Sequence, residues 1–439
     1  MTDLKPWEAP GAGMPTKAQL EYQQRRQLGI FCHFGINTFY GKEWSDGTLD
    51  AAGFAPTALD CRQWVAVAME AGAAHIILTA KHHDGFCLWP TATKAYSVAS
   101  SPWRGGKGDV VGELAEACRA AGLGLGLYLS PWDRNDPDWE QNPATYDGRY
   151  IDQLTELCTS YGPLVELWFD GAGSEKHPYD WDAIMHVAAE HQPQAMIFNM
   201  GRPTVRWVGN EDGLADDPCW YTVNAVGKSI YDDSHEPLPG GDRYLPPECD
   251  VAIRRHWFWQ PDDRGTLKSV NHLLAIWYRS VGLGANLLLN VPPDRRGLID
   301  DHDAARLREW AAALRERFAS PMPARVSQEG TRIVADFGGE RTFDHLVLRE
   351  HLDEGQRIGR HRVLDGRTGD VIVDGVRTVG SQRVHAFPAV TTDRVVIEID
   401  VPAGALDGVE AYATGVEAPP GLEAQPRFMS EKIDRADVG

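Results

Sequence analysis

Through most of its length the chain alternates apolar runs of β character with helical segments that stop at glycine, and this rhythm leaves few folds open. Cys61-Arg-Gln-Trp-Val-Ala-Val-Ala-Met-Glu-Ala71 has helical spacing and is followed by Gly72; the segment 111–121 ends at Gly122, and 150–161 stops before Gly162. Glycine just past a last turn takes the left-handed conformation that ends a helix. The β-like runs lie at 30–34, 75–80, 124–129, 164–169, 195–199, 205–208, 251–254 and 285–291. Strands alternating with crossover helices make a parallel sheet, and eight of them predict an α/β protein built on a (β/α)8 barrel.

Three of those runs end in polar and aromatic side chains: Gly29-Ile-Phe-Cys-His-Phe-Gly35, Ile76-Ile-Leu-Thr-Ala-Lys-His-His-Asp-Gly-Phe86 and Leu164-Val-Glu-Leu-Trp-Phe-Asp-Gly171. In such a barrel the catalytic groups sit at the C-terminal ends of the strands. His33, His82, His83 and Asp170 are therefore expected in one pocket, and their chemistry suits a sugar. The polar, irregular segment 201–247 is read as loops at the same end.

After a helical run at 301–318, Pro321 and Pro323 mark a boundary, and short alternating runs follow, among them Asp370-Val-Ile-Val-Asp374 and Arg394-Val-Val-Ile-Glu-Ile399. These predict a β-sandwich. The expected organisation is a catalytic barrel over 1–320, a sandwich over 321–416 and an extended or disordered tail over 417–439. At 439 residues the chain is too long for one ordinary core, which accords with that division.

A formal charge of −20 disfavours nucleic acid and anionic membrane as partners and points to a neutral substrate. Seven cysteines with no C-x-x-C pair suggest neither a disulfide framework nor a structural zinc site. No apolar stretch is long enough to span a bilayer, and the N-terminal segment lacks the apolar centre of a secretory signal, so a cytoplasmic location is expected.

Asp170 closes an apolar, aromatic strand, where a carboxylate can either cap the next turn or attack an electrophilic carbon. A nucleophilic carboxylate needs a partner acid about 5–5.5 Å away in retaining glycosidases. Glu211, in Val205-Arg-Trp-Val-Gly-Asn-Glu211, is the candidate; Glu248 and Asp250 compete for the role, with Glu248 as the fallback. His82 and His83 match no metal spacing such as H-E-x-x-H, and as imidazoles they can both donate to and accept from sugar hydroxyls. Adjacent residues point apart on a strand, so both line one ligand only if the strand has already turned into loop. Trp44 and Trp132 lie in loops and offer flat faces to a sugar ring, and Glu43 can anchor adjacent hydroxyls.

Taken together, Cys32-His-Phe-Gly-Ile-Asn-Thr-Phe39, Glu43-Trp44, Lys81-His-His-Asp-Gly-Phe-Cys-Leu-Trp89, Tyr128-Leu-Ser-Pro-Trp132, Glu166-Leu-Trp-Phe-Asp-Gly171 and Gly284-Ala-Asn-Leu-Leu-Leu-Asn-Val-Pro-Pro293 resemble the α-L-fucosidases of glycoside hydrolase family 29. The segments 205–211 and 250–254 look like the branch that prefers α-1,3 and α-1,4 linked fucose, and Phe343-Asp-His-Leu-Val-Leu-Arg349 resembles the family's sandwich. The resemblance implies a retaining exo-glycosidase with no metal or organic cofactor, acting on a fucosylated oligosaccharide or glycoconjugate. By motif, it makes Asp170 the nucleophile and Glu211 the general acid/base. It has His33, Glu43, Trp44, His82 and His83 hold fucose, and Trp132, Arg254 and Trp257 contact substrate. Arg254-Arg-His-Trp257 departs from the branch's usual Arg-Pro-Gly-Trp, which bears on leaving-group specificity. A catalytically silent carbohydrate-binding protein, a metal-dependent hydrolase and a glycosidase acting on a related sugar are the alternatives. Oligomeric state is not legible.

Overall fold

The computed structural model describes residues 13–228, 236–401, 404–416 and 420–421. The tail expected at 417–439 lies outside the described residues, apart from 420 and 421. Eight parallel strands form the larger unit: β1 (Leu28–Cys32), β2 (His75–Lys81), β3 (Gly124–Leu129), β4 (Glu166–Trp168), β5 (Met196–Phe198), β6 (Arg206–Trp207), β7 (Pro247–Ala252) and β8 (Asn286–Asn290). They follow the order β5-β4-β3-β2-β1-β8-β7-β6, and a parallel bridge between Phe198 and Val205 joins the two edges. Each expected run overlaps one strand of this barrel.

Strand side chains alternate between two apolar regions, as a period of two requires. Ile30, Ile76, Leu125, Leu167, Val251 and Leu287 face the surrounding helices in the main core. Phe31, Ile77, Tyr128, Trp168, Phe198 and Leu288 fill the barrel. Gly29 is needed where it stands, because a Cβ there would meet the His75 ring at 2.3 Å. The helices begin and end as their sequences direct. Asp60 accepts from the Arg62 N–H ahead of Cys61–Glu70, and Asp109 accepts from the Gly112 N–H at 2.8 Å ahead of Val110–Ala121. Such caps contribute about 1 kcal/mol each. Gly122 ends the second of these helices with φ +71. The helix expected over 150–161 begins earlier, as Pro143–Ser160, with proline in the first turn where its missing N–H costs nothing.

Strand β7 differs from expectation: it runs over Pro247–Ala252 and not over 251–254. Glu248 and Asp250 hide it in the sequence, since acidic residues are poor strand formers, yet both are buried on its inner face. Below them the helix Lys17–Arg25 closes the N-terminal end of the barrel. Its Gln19 Nε2 donates to the carbonyls of Thr204 and Tyr244, and its Tyr22 hydroxyl reaches Glu166 and Glu248.

The helix Asp301–Arg317 leads into seven antiparallel strands, β9 (Met322–Pro323), β10 (Arg325–Glu329), β11 (Arg332–Glu350), β12 (His361–Asp365), β13 (Val371–Val376), β14 (Arg383–Ile399) and β15 (Leu406–Tyr412). Strands β11 and β14 are much longer than the short runs expected. Register shifts between Asp336 and Arg341 and between Phe343 and His345 bend them instead of ending them. Their two halves take different partners: β10 and β12 on one side of the bend, β15 on the other. The fold-over encloses Ile333, Phe343, Leu346, Val363, Ile397 and Val409 in a second core, giving the expected β-sandwich. Among the described residues no helix is long and apolar enough to cross a membrane.

Candidate active site

At the C-terminal end of the barrel a cavity of about 1000 Å³ opens among the strand ends and following loops. His33, Trp44, His82, His83, Trp132, Asp170, Glu211, Asp250 and Trp257, nine of the twelve residues singled out in the sequence, line it. Strand β2 ends at Lys81, so the chain has already turned when it reaches His82 and His83, and both imidazoles face one space. Trp44, Trp132 and His83 form an aromatic wall, with centroids 5.2 to 5.7 Å apart. Gly173 permits that wall, because a Cβ there would lie 2.2 Å from the Trp132 ring.

Asp170 stands two residues beyond Trp168 on the same inner face. Its Oδ1 accepts from the Ala172 N–H at 2.8 Å and its Oδ2 from the Tyr128 hydroxyl at 2.9 Å. His83 Nε2 lies 3.5 Å from the same Oδ2. Ser130 donates its own hydrogen to the Trp132 carbonyl at 2.6 Å, so its Oγ accepts from His83 Nδ1 at 2.7 Å. A neutral His83 therefore keeps a lone pair on Nε2. The same logic holds at His33. Asn290 donates through Nδ2 to the Trp257 carbonyl and accepts through Oδ1 from His33 Nδ1 at 2.9 Å, which leaves His33 Nε2 an acceptor. Desolvation holds His33 neutral, lowered to about 3, and lowers His82 and His83 as well. The cavity thus presents neutral imidazoles to hydroxyl donors beside a carboxylate.

Glu211 follows β6 on a loop and is open to the cavity, yet protein surrounds its carboxyl on most sides. Desolvation first, and then the charge of Asp170, lifts it to about 7. Trp257 Nε1 reaches its Oε2 at 3.4 Å.

Two of the expected contacts are placed elsewhere. Glu43 is not among the residues that line the cavity; it accepts the backbone N–H groups of Trp257 at 2.7 Å and Phe258 at 3.3 Å and so holds the Trp257 loop, and burial pushes it up to about 8. Arg254 is buried behind the wall, where Asp263, Asp300 and Asp303 engage its guanidinium at 2.9 to 3.4 Å. Its Nε and Nη1 donate to Asp303 and Asp263, Nη2 is paired with Asp300 by charge alone, and the group does not line the cavity. The fallback acid Glu248 is also absent from the wall. It lies on the barrel floor, its Oε2 2.5 Å from the Tyr22 hydroxyl, which is also 2.5 Å from Glu166 Oε2. One phenolic proton cannot serve two buried anions, so this pair holds an extra proton; desolvation raises both carboxyls.

Tyr128, Trp207 and Asn199 are cavity or near-cavity groups that sequence reasoning passed over. Tyr128 lay within a quoted motif, and the inward period of β3 was the signal that pointed to it. Nitrogen atoms of His82 and His83 and an oxygen of Asp170 lie within 4.8 Å of one another, a donor set that a borderline divalent ion can use. His83 Nδ1 is already committed to Ser130, and the two Asp170 oxygens accept from Ala172 and Tyr128.

The α-L-fucosidase family model matches residues 50–317, which hold seven of the eight barrel strands and most of the cavity lining. The chain belongs to the α-L-fucosidases. It is similar to α-L-fucosidase 1 of Arabidopsis thaliana, at 38% identity over 435 residues, 89% of this chain and 85% of the relative. It superposes with a TM-score of 0.86 on a glycoside hydrolase 29 family member from an unknown rumen bacterium, 35% identical over 92% of this chain and 78% of that one. A Ruminococcus gnavus GH29 fucosidase in complex with fucose superposes with a TM-score of 0.81 at 27% identity, over 91% of this chain and 95% of the other. This fucosidase is therefore a glycoside hydrolase of family 29.

Proposed function

We propose that this fucosidase is a retaining exo-glycosidase that removes α-1,3 or α-1,4 linked fucose from branched oligosaccharides by double displacement. The observation that carries the mechanism is the presence of Asp170 and Glu211 in one cavity, with Glu211 lifted toward neutrality by burial and by Asp170. Asp170 attacks the anomeric carbon, and the bond to the departing oxygen breaks as Glu211 gives that oxygen its proton. Glu211, now a carboxylate, takes a proton from water, whose oxygen displaces Asp170 and restores the starting configuration. Tyr128 orients the attacking carboxylate. The imidazoles of His33, His82 and His83 bind ring hydroxyls, and Trp44, Trp132 and Trp257 supply apolar faces.

The linkage preference rests on the resemblance of 205–211 and 250–254 to that branch. A cavity of about 1000 Å³, larger than one monosaccharide needs, supports an oligosaccharide substrate. The seven cysteines are buried and unpaired, which supports a cytoplasmic location.

The decisive variant is Asp170→Gly. It loses turnover of an aryl α-L-fucoside by more than about 10³-fold and regains part of it with azide, giving a fucosyl azide of inverted configuration. Wild-type-like turnover would remove Asp170 from the mechanism. Parallel assays on α-1,2, α-1,3, α-1,4 and α-1,6 fucosylated oligosaccharides test the linkage, and equal release from all four would sink that part. Chelator treatment leaves turnover unchanged; its abolition, with recovery on adding a divalent ion, would favour a metal held by His82, His83 and Asp170.

A further inference from the structure

We propose that Asp250 is a positioning residue: it pins Trp207 and thereby holds the loop that brings Glu211 to the cavity. The inference rests on the reading of Glu211 as the general acid.

Asp250 projects inward from β7, two residues above Glu248, and lines the cavity together with Trp207 and Glu211. Trp207 is the last residue of β6, a strand only two residues long, and Glu211 follows four residues later. Trp207 Nε1 donates to Asp250 Oδ1 at 2.7 Å. Beyond that point the loop is held through its backbone, through itself and by the 3.4 Å contact of Trp257 Nε1 with Glu211 Oε2. Val208 donates to the Glu248 carbonyl at 3.2 Å, Asp212 bridges to Val251, and Asn210 Oδ1 accepts from the N–H groups of Asp212 and Leu214. The indole–carboxyl bond thus ties the last side chain of the strand that launches the Glu211 loop to the wall of the barrel.

Desolvation first, and then the neighbouring acids Glu211 and Glu248, holds the Asp250 carboxyl well above the usual range against the lowering effect of the Trp207 hydrogen bond. A neutral acid accepting one indole hydrogen is closely mimicked by a carboxamide. Asparagine keeps the acceptor, and its Nδ2 replaces the hydroxyl donor.

The test compares Asp250→Ala, Asp250→Asn and Trp207→Phe on a fucosylated oligosaccharide and on α-L-fucosyl fluoride, whose leaving group needs no proton. Asp250→Ala and Trp207→Phe are expected to lose about 10- to 100-fold in kcat/KM on the oligosaccharide and less than about 3-fold on the fluoride, as loss of a positioned acid requires. Asp250→Asn is expected to restore at least about half of the oligosaccharide rate. Trp207→Phe keeps the ring and loses the donor, so it answers the question even if Asp250→Ala does not fold. Equal losses on both substrates, or Asp250→Asn falling as far as Asp250→Ala, would overturn the proposal. Glu211→Ala separates the two readings. If it turns over the oligosaccharide normally, the acid assignment fails; if it is inactive while Trp207→Phe and Asp250→Ala behave as wild type, only the pin fails.

Discussion

Tyr128 donates its phenolic hydrogen to Oδ2 of Asp170 across 2.9 Å, from a ring stacked against Trp168 at 5.3 Å and His82 at 5.6 Å. The stack fixes the ring, and the hydroxyl fixes the carboxylate. Tyr128→Phe keeps the stack and deletes the bond. Its kcat on an aryl α-L-fucoside should fall about 10- to 100-fold, the equivalent of about 1.5–3 kcal/mol for a hydrogen bond to a charged group, with an unchanged far-UV spectrum. Full activity would mean that the Ala172 N–H alone orients Asp170.

As the proposed general acid, Glu211 should give the pH profile its alkaline limb. A general acid must hold its proton, and burial and Asp170 lift this carboxyl to about 7. Activity on an oligosaccharide should therefore decline as pH rises through about 7, and the limb should vanish on fucosyl fluoride, which needs no acid. A limb of the same position on both substrates would assign it to another group.

The floor pair links pH to stability. Glu166 and Glu248 are both raised on folding, chiefly by desolvation. A group whose pKa is raised contributes stability that is complete below its unfolded value and is lost as pH climbs through its folded value. Wild-type melting temperature should thus drop between about pH 5 and pH 8, and Glu248→Gln, which carries no ionisable proton, should show a shallower drop. Parallel curves for the two proteins would refute the shared proton.

Arg254 is expected to matter for stability before binding. Removing it leaves Asp263, Asp300 and Asp303 without their common cation, and breaking a buried ion pair costs about 3–5 kcal/mol. Urea unfolding of Arg254→Ala measures this. An unchanged midpoint together with a raised KM would restore Arg254 to the substrate-binding role expected from the sequence.

The barrel was legible because its information is local. Strands are short apolar runs, helices stop at Gly72 and Gly122, and polar groups gather just past strand ends, as at His33, His82, His83 and Asp170. Any chain with that pattern can bury its apolar faces in few ways. The long bent strands of the sandwich were less legible, since a bulge at residues 336–341 looks like a turn until its partner strand is seen.

By itself, then, the sequence determined the fold class, the family resemblance and the mouth of the cavity, all of which depend on residue spacing along one strand or loop. Tertiary structure decided which charges meet. Glu248 was a plausible acid until the helix bearing Tyr22 closed the barrel beneath it, and Arg254 a plausible contact until three aspartates from later segments enclosed it. Glu43 likewise proved to meet the backbone of Trp257 and Phe258, more than 200 positions away. The physical reason is that burial and electrostatics depend on distance in space between residues tens to hundreds of positions apart, and only closing the barrel sets those distances.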